Sequence, residues 1–261
     1  MGNDASSWSP PEISTVWEDL RGRGFSLVSD GDLGLPEKFR DNFHQAYFND
    51  LVLRHDDGDW PEDRKRARDV VHYTWSGSEL ELREYETIAI TDRAGIKGER
   101  IHKRVQILED PQAEELARAL LSLIPPERRH PEGTLGVNFF RTYTDVVTRP
   151  HHDNEEFIIL YVMHRDGDGA RSYLFEDRNY RRNCAANPAT VETGTSDPAP
   201  LPQVLDYQLN PGQLLLFEDA RFQHGATALE PPPGSQAMRD VIVFTVDYPE
   251  TYLQRETAAA N

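Results

Sequence analysis

Nine histidines occur in the 261-residue chain, and three of them stand two residues ahead of an aspartate: His55 with Asp57, His151 with Asp153, and His164 with Asp166. An imidazole and a carboxylate at this spacing can hold one metal ion together. With a second histidine from elsewhere in the fold they put two nitrogens and one oxygen on one face of a first-row divalent ion, leaving the other positions open for oxygen and a co-substrate, the arrangement of non-haem iron(II) oxygenases. The motif alone carries little weight, because about one chance match is expected in a chain of this length and composition. Context separates the three. His55 and Asp57 lie in a charged stretch with no apolar strand after it, the pattern of a solvated turn. His164 and Asp166 close the apolar run 157–163 and lead into Asp166-Gly-Asp-Gly169, the pattern of a hairpin turn. Only His151 and Asp153 are followed at once by a strong strand pattern, Phe157-Ile-Ile-Leu-Tyr-Val-Met163, and a rigid strand beside the ligands is what a preorganised metal site needs.

The second histidine comes from the segment after the Pro211-Gly212 turn, where Leu214 to Phe217 is a short apolar strand and His224 opens the next one. A lone histidine there would ordinarily be a core residue, but it is paired with the upstream motif across a spacing that leaves room for intervening strands. Arg239 follows and opens the last strand. A planar guanidinium matches a carboxylate bidentately, which suits the far carboxylate of a keto-diacid co-substrate.

The elements that must position these residues are mostly strands. Thr134 to Tyr143, Phe157 to Met163, Ser172 to Phe175, Leu214 to Phe217 and Val241 to Tyr248 are short, apolar and β-rich, and are separated by Gly, Pro and Asp turn signals. Before them, Ile13, Val16, Trp17 and Leu20 repeat at helical spacing, as do Phe39, Phe43 and Tyr47 after Pro36. The clearest helix spans 111–124, with Asp110 as its cap, Pro111 at its first position and Pro125 at its end. Residues 55–69 read as a charged loop, and 70–75, 80–90 and 101–108 as strands. The chain is therefore expected to be a single domain over 1–261, mainly β with flanking helices: N-terminal helices and supporting strands over 1–130, a jelly-roll core with the metal site over 134–250, and a flexible insertion at 185–202, where core-forming side chains are scarce.

Charge narrows the partners. There are 45 acidic against 28 basic residues, a formal net charge of −17. Such a surface repels nucleic-acid phosphates and anionic membranes. The single cysteine, Cys184, excludes an internal disulfide and a multi-cysteine zinc site. No apolar run is long enough to span a bilayer, and the N-terminus lacks a basic segment followed by an apolar one, so a cytoplasmic protein acting on a small molecule is expected.

Three strings carry a family resemblance: His151-His-Asp-Asn-Glu-Glu-Phe-Ile-Ile-Leu-Tyr-Val-Met163, Phe222-Gln-His-Gly-Ala-Thr-Ala-Leu229 and Met238-Arg-Asp-Val-Ile-Val-Phe-Thr-Val-Asp-Tyr248. Together they resemble the bacterial 2OG-Fe(II) dioxygenases, and among these the L-isoleucine dioxygenases, which hydroxylate free amino acids. The likeness covers 66–248, with a fainter match at Arg66-Ala-Arg68 and Tyr73. It implies a double-stranded β-helix (cupin-like) fold, iron(II) on His151, Asp153 and His224, 2-oxoglutarate on Arg239, and oxygen as the second co-substrate, with ascorbate expected to help in vitro. Many relatives carry Ser or Thr two residues beyond the arginine; Val241 stands there in this chain, so a second anchor for the co-substrate must come from elsewhere, and Asn138 and Arg141 are candidates. A free amino acid would need a cation for its carboxylate, for which Arg68 and Arg141 are candidates, and an acceptor for its ammonium, for which Glu155 and Glu156 are candidates. No acid or base residue separate from the iron centre is indicated. The carboxylate of Asp153 favours hydroxylation over halogenation. Open alternatives are a peptide or another small metabolite as substrate, desaturation or cyclisation as the outcome, and a metal-binding jelly roll without oxygenase activity.

Overall fold

The computed structural model describes residues 13–54, 64–85, 90–91, 99–100, 104–143, 148–178, 180 and 201–249. Helix α1 (Ser14–Gly22) buries Val16 and Leu20 and leads into strand β1 (Phe25–Ser29). Helix α2 (Phe39–Tyr47) buries Phe39, Phe43 and Tyr47, the residues of its apolar stripe. Helix α3 (Pro111–Ser122) starts where the Asp110 side chain accepts the Gln112 N–H, and it turns Leu116 and Leu120 inward. The remaining elements are strands: β2 (Arg64–Ser76), β3 (Glu79–Glu84), β4 (Ile90–Thr91), β5 (Glu99–Arg100), β6 (Glu132–Thr142), β7 (Thr148–His151), β8 (Phe157–Asp166), β9 (Asp168–Gly169), β10 (Ser172–Glu176), β11 (Gln203–Tyr207), β12 (Gln213–Glu218), β13 (Phe222–Ala226), β14 (Leu229–Glu230) and β15 (Met238–Asp247).

Seven strands form the larger sheet in the order β1-β12-β8-β15-β6-β2-β3, and four form the smaller one in the order β11-β10-β13-β7. Pairing within both is antiparallel. The two sheets enclose one core, including Ile158, Val162, Leu174, Leu215, Phe217 and Phe222. The other face of the larger sheet carries the three helices over a second core that includes Phe139, Ile159, Tyr161, Ile242 and Phe244. Strands β8 and β15 are thus buried on both faces, which explains their nearly unbroken apolar sequences. This is the expected jelly roll with helices packed outside it.

One irregularity matters for the site. The pairing of β15 with β8 slips between Asp240 and Val241: Val241 stands opposite Val162, but Asp240 stands opposite His164, so Met163 is the extra residue of a bulge. The slip reverses the alternation of β8 beyond it. His164 thereby shares the helix side with Asp240 and His44, and Arg165 shares the inner side with Arg239.

Two expectations are corrected. Residues 64–69 are strand rather than loop: Ala67 and Asp69 are buried on one face, while the arginines of the other face pair in register with β6. Long aliphatic arginine stems let such a strand look like a solvated segment. Residues 107 and 108, expected to end a strand, instead open a single tight helical turn over 107–109, fixed by the Ile107 N–H donating to the buried Asp69 carboxylate at 2.8 Å. Strand β8 also runs beyond the expected 157–163 through Asp166, and the chain turns within the expected Asp166–Gly169 segment at Gly167, whose φ of 111° suits glycine. Most of 185–202, together with His55 and Asp57, lies outside the described residues.

Candidate metal and co-substrate site

His151 ends β7 and His224 sits in the middle of β13, and the two residues are direct partners in the ladder between these strands. Their rings are 4.3 Å apart, centroid to centroid. The close approach requires glycine at 225, where a Cβ would collide with the Thr148 carbonyl oxygen. Asp153 lies on the connection from β7 to β8, which reverses through Asn154 at a φ of 64°, a left-handed conformation that asparagine tolerates. Asp153 Oδ1 lies 3.3 Å from His151 Nε2 and Oδ2 lies 3.4 Å from His224 Nε2. One ligand atom from each of the three residues falls within 4.8 Å of the others, the grouping expected of a shared metal ion.

The surroundings orient these ligands. His151 Nδ1 is 2.8 Å from the Arg149 carbonyl oxygen, which only accepts, so the proton is on Nδ1 and the Nε2 lone pair is free for a metal. His224 Nδ1 faces Asp219 Oδ1 at 3.4 Å. Asp219 is fully buried, and its two oxygens accept the N–H groups of Asp153 and Glu155, each at 3.1 Å. One carboxylate therefore ties the distal histidine to the loop bearing the aspartate ligand. Burial opposes charge on Asp153, but the two imidazoles outweigh it and hold this carboxyl well below the usual carboxylate range. Burial likewise opposes charge on His224, but Asp153 and Asp219 outweigh that and push its pKa up to about 9. Both shifts express one property: the local field favours a positive charge between these residues.

Arg239 supplies the second half of the site. Arg239, Val241 and Val243 of β15 pair with Thr142, Phe140 and Asn138 of β6, which pair in turn with Arg64, Arg66 and Arg68 of β2. Phe140, Val241 and Val243 belong to the core between the sheets, so the whole set lines the inner face. Arg239 reaches a small cavity shared with Arg64 and Thr142, and with Thr148 and Ala226 from the two strands that carry the histidines. Its Nε and Nη2 atoms are buried and have no hydrogen-bond partner among the described residues. Burial, with Arg165 and Arg64 nearby, lowers its pKa to about 10, so it remains a cation at neutral pH. A buried cation with unfilled donors is costly unless an anion joins it. The donor set and this orphaned guanidinium fit a divalent metal and a keto-diacid.

The other expected site residues divide. Asn138 shares the inner face and donates Nδ2–H to the Val243 carbonyl at 3.1 Å. Arg68 is its register partner, with its guanidinium above Gly136. Glu155 is buried beside the metal loop, and Glu156 bonds through its backbone to Val246 and Asp219. Arg141 lies on the opposite face. Its Nε and Nη2 atoms hold Asp240 at 2.7 Å each and Nη2 also reaches the Phe48 carbonyl, so it braces the bulge from behind instead of lining the cavity. Asp219 escaped the sequence reading. Its signal was an acidic residue between two apolar strands, just ahead of the distal histidine.

The family model for 2OG-Fe dioxygenases matches residues 56–245. None of the curated protein sequences matches the chain significantly. Among solved structures, a bsmA homolog from Methylobium petroleophilum PM1 is 21% identical, with 92% of this chain and 95% of that one covered and a TM-score of 0.69. IDO from Bacillus thuringiensis is 15% identical, with 93% and 98% covered and a TM-score of 0.64. The Fe(II)/(alpha)ketoglutarate-dependent dioxygenase TqaL is 14% identical, with 91% and 87% covered and a TM-score of 0.62. At these identities the likeness establishes the fold, and the family match establishes the chemistry: the chain belongs to the 2OG-Fe dioxygenase family, enzymes that require iron(II), 2-oxoglutarate and oxygen.

Proposed function

We propose that this dioxygenase hydroxylates an unactivated C–H bond of a free L-amino acid or a close derivative, with iron(II) held by His151, Asp153 and His224 and 2-oxoglutarate anchored by Arg239. The observation that carries the reading is the convergence of the three ligand atoms within 4.8 Å beside strands that also line the cavity of the orphaned Arg239 guanidinium. Iron(II) supplies the oxygen activation that couples oxidative decarboxylation of 2-oxoglutarate to substrate oxidation. The balance is one 2-oxoglutarate, one oxygen and one C–H bond giving succinate, carbon dioxide and the alcohol.

The protein's own part is binding, orientation and exclusion of water. With a metal bound, His151 and His224 would each offer a ring nitrogen and Asp153 would offset part of the metal charge. Asp219 keeps the ligand loop and the distal histidine in one arrangement. Arg239 fixes the far end of the diacid, which orients its keto-acid end toward the triad. The amino-acid substrate is supported by the likeness of the three site strings to amino-acid hydroxylases. Arg68 is a candidate on the inner face for the substrate carboxylate, and Glu155 and Glu156 are candidates near the metal loop for its ammonium. Asn138, on the same inner face, is a candidate for a further contact to the co-substrate.

Incubation with iron(II), ascorbate, oxygen and 2-oxoglutarate against a panel of free amino acids tests this. The expected result is succinate matched one-to-one by a product heavier by one oxygen atom. Succinate with no altered amino acid would overturn the substrate class and direct the search to peptides or other metabolites.

A further inference from the structure

Two guanidiniums, not one, carry buried N–H donors with no partner among the described residues. Beyond the β-bulge, Arg165 of β8 is the register partner of Arg239 and projects to the same inner face. Its positive charge is among the causes that lower the Arg239 pKa, so the two groups feel each other directly. Arg165 donates Nη2–H to Asn210 Oδ1 at 3.0 Å, but among the described residues its buried Nε and Nη1 atoms have no hydrogen-bond partner, the same condition as Nε and Nη2 of Arg239. Two like charges side by side, each with two unfilled buried donors, are unfavourable on their own. An anion with two oxygens between them would fill these donors and offset the repulsion.

We propose that Arg165 and Arg239 act as a paired clamp for the distal carboxylate of 2-oxoglutarate, with Arg165 as the second anchor that position 241, a valine, cannot provide. This rests on the assignment of Arg239 to the co-substrate. The bulge at Met163 is the device that makes the clamp: without it, the alternation that turns Ile158 and Val162 inward would place His164 there, and Arg165 would face the helices.

The test is equilibrium binding of 2-oxoglutarate to the manganese(II)-loaded protein by calorimetry, beside 2-oxopentanoate, which has the same chain length but no distal carboxylate. Arg165→Met is expected to weaken 2-oxoglutarate at least about tenfold, with 2-oxopentanoate unchanged, and Arg165→Lys to fall between. In the metal-free protein Arg165→Met should unfold no earlier than wild type, since it removes a repulsion. Equal loss for both keto acids, or an earlier unfolding with 2-oxoglutarate affinity intact, would make Arg165 merely structural and overturn the clamp. If Arg239→Met abolishes 2-oxoglutarate binding while Arg165→Met leaves it intact, the clamp fails while the Arg239 assignment stands. If wild type does not bind 2-oxoglutarate, the assignment fails with it. Should Arg165→Met not fold, Arg165→Lys read against the two keto acids decides the matter.

Discussion

Asp219 and His224 face each other at 3.4 Å, carboxylate to Nδ1, while the same carboxylate accepts the backbone N–H groups of Asp153 and Glu155. This places a fully buried acid behind two of the three proposed ligands. Asp219→Asn preserves the shape but turns an amide donor toward one of the two backbone N–H groups and removes the charge behind His224. Outer partners of this kind are worth about 10–100-fold in metal affinity. A loss of that size is expected in competition titrations with cobalt(II), and an unchanged affinity would remove Asp219 from the metal site.

Arg239 should behave as a residue kept for binding at the expense of stability. Its buried, unfilled donors and its like-charged neighbours are a burden only while no anion is present. Arg239→Met is therefore expected to raise the unfolding midpoint of the metal-free protein, by roughly 2–4 °C for each kcal/mol relieved. It should also abolish the stabilisation that 2-oxoglutarate gives to wild type. A lower midpoint with that stabilisation retained would contradict the role.

What was legible in the sequence follows from how local each signal is. The triad was readable because His151 and Asp153 precede a run buried on both faces, and because His224 follows a turn and a second such run. The helices were readable from their stripes and from the cap at Asp110. Arg64 to Asp69 was misread because arginine stems cover one face of a strand whose other face holds Ala67 and Asp69. Arg141 stands as a co-substrate candidate in the sequence because inward and outward residues of β6 can be told apart only once its partners are known. Arg165 was invisible for a related reason: a one-residue slip in a pairing between distant strands decides where it points. Asp219 resembled any polar residue in a turn until the Asp153 loop was seen to close over it.

Arg141 gives a prediction opposite to that expected of a co-substrate ligand. It holds Asp240, which is fully buried and also bonded to His44 at 2.6 Å. Removing one partner of such a pair leaves a charge poorly compensated, at a cost of about 3 kcal/mol. Arg141→Met should lower stability in urea titrations by about that amount, while cobalt(II) affinity at the triad is retained. Loss of metal affinity without loss of stability would contradict its place behind the sheet.

Asp69 sets a pH dependence. Burial, with Glu84 nearby, raises its pKa to about 6 against the opposing pull of the Ile107 and Val70 N–H groups and Arg104. Its contribution to stability is therefore fully present below the unfolded value near 3.8 and is lost as the pH rises through about 6. Compared with Asp69→Asn, wild type should lose about 2 kcal/mol of relative stability between pH 4 and pH 7, other titrations cancelling in the difference. Urea unfolding of both proteins across that range checks it, and a relative gain toward neutral pH would contradict it.

The most direct test of the central claim is succinate formation from 2-oxoglutarate with iron(II) and oxygen, in wild type and in His224→Ala at matched protein folding and iron concentration. The account predicts iron-dependent succinate from wild type and its loss, by at least about 100-fold, when this ligand is removed. Undiminished succinate from His224→Ala would show that the iron acts elsewhere, and would contradict the site built on His151, Asp153 and His224.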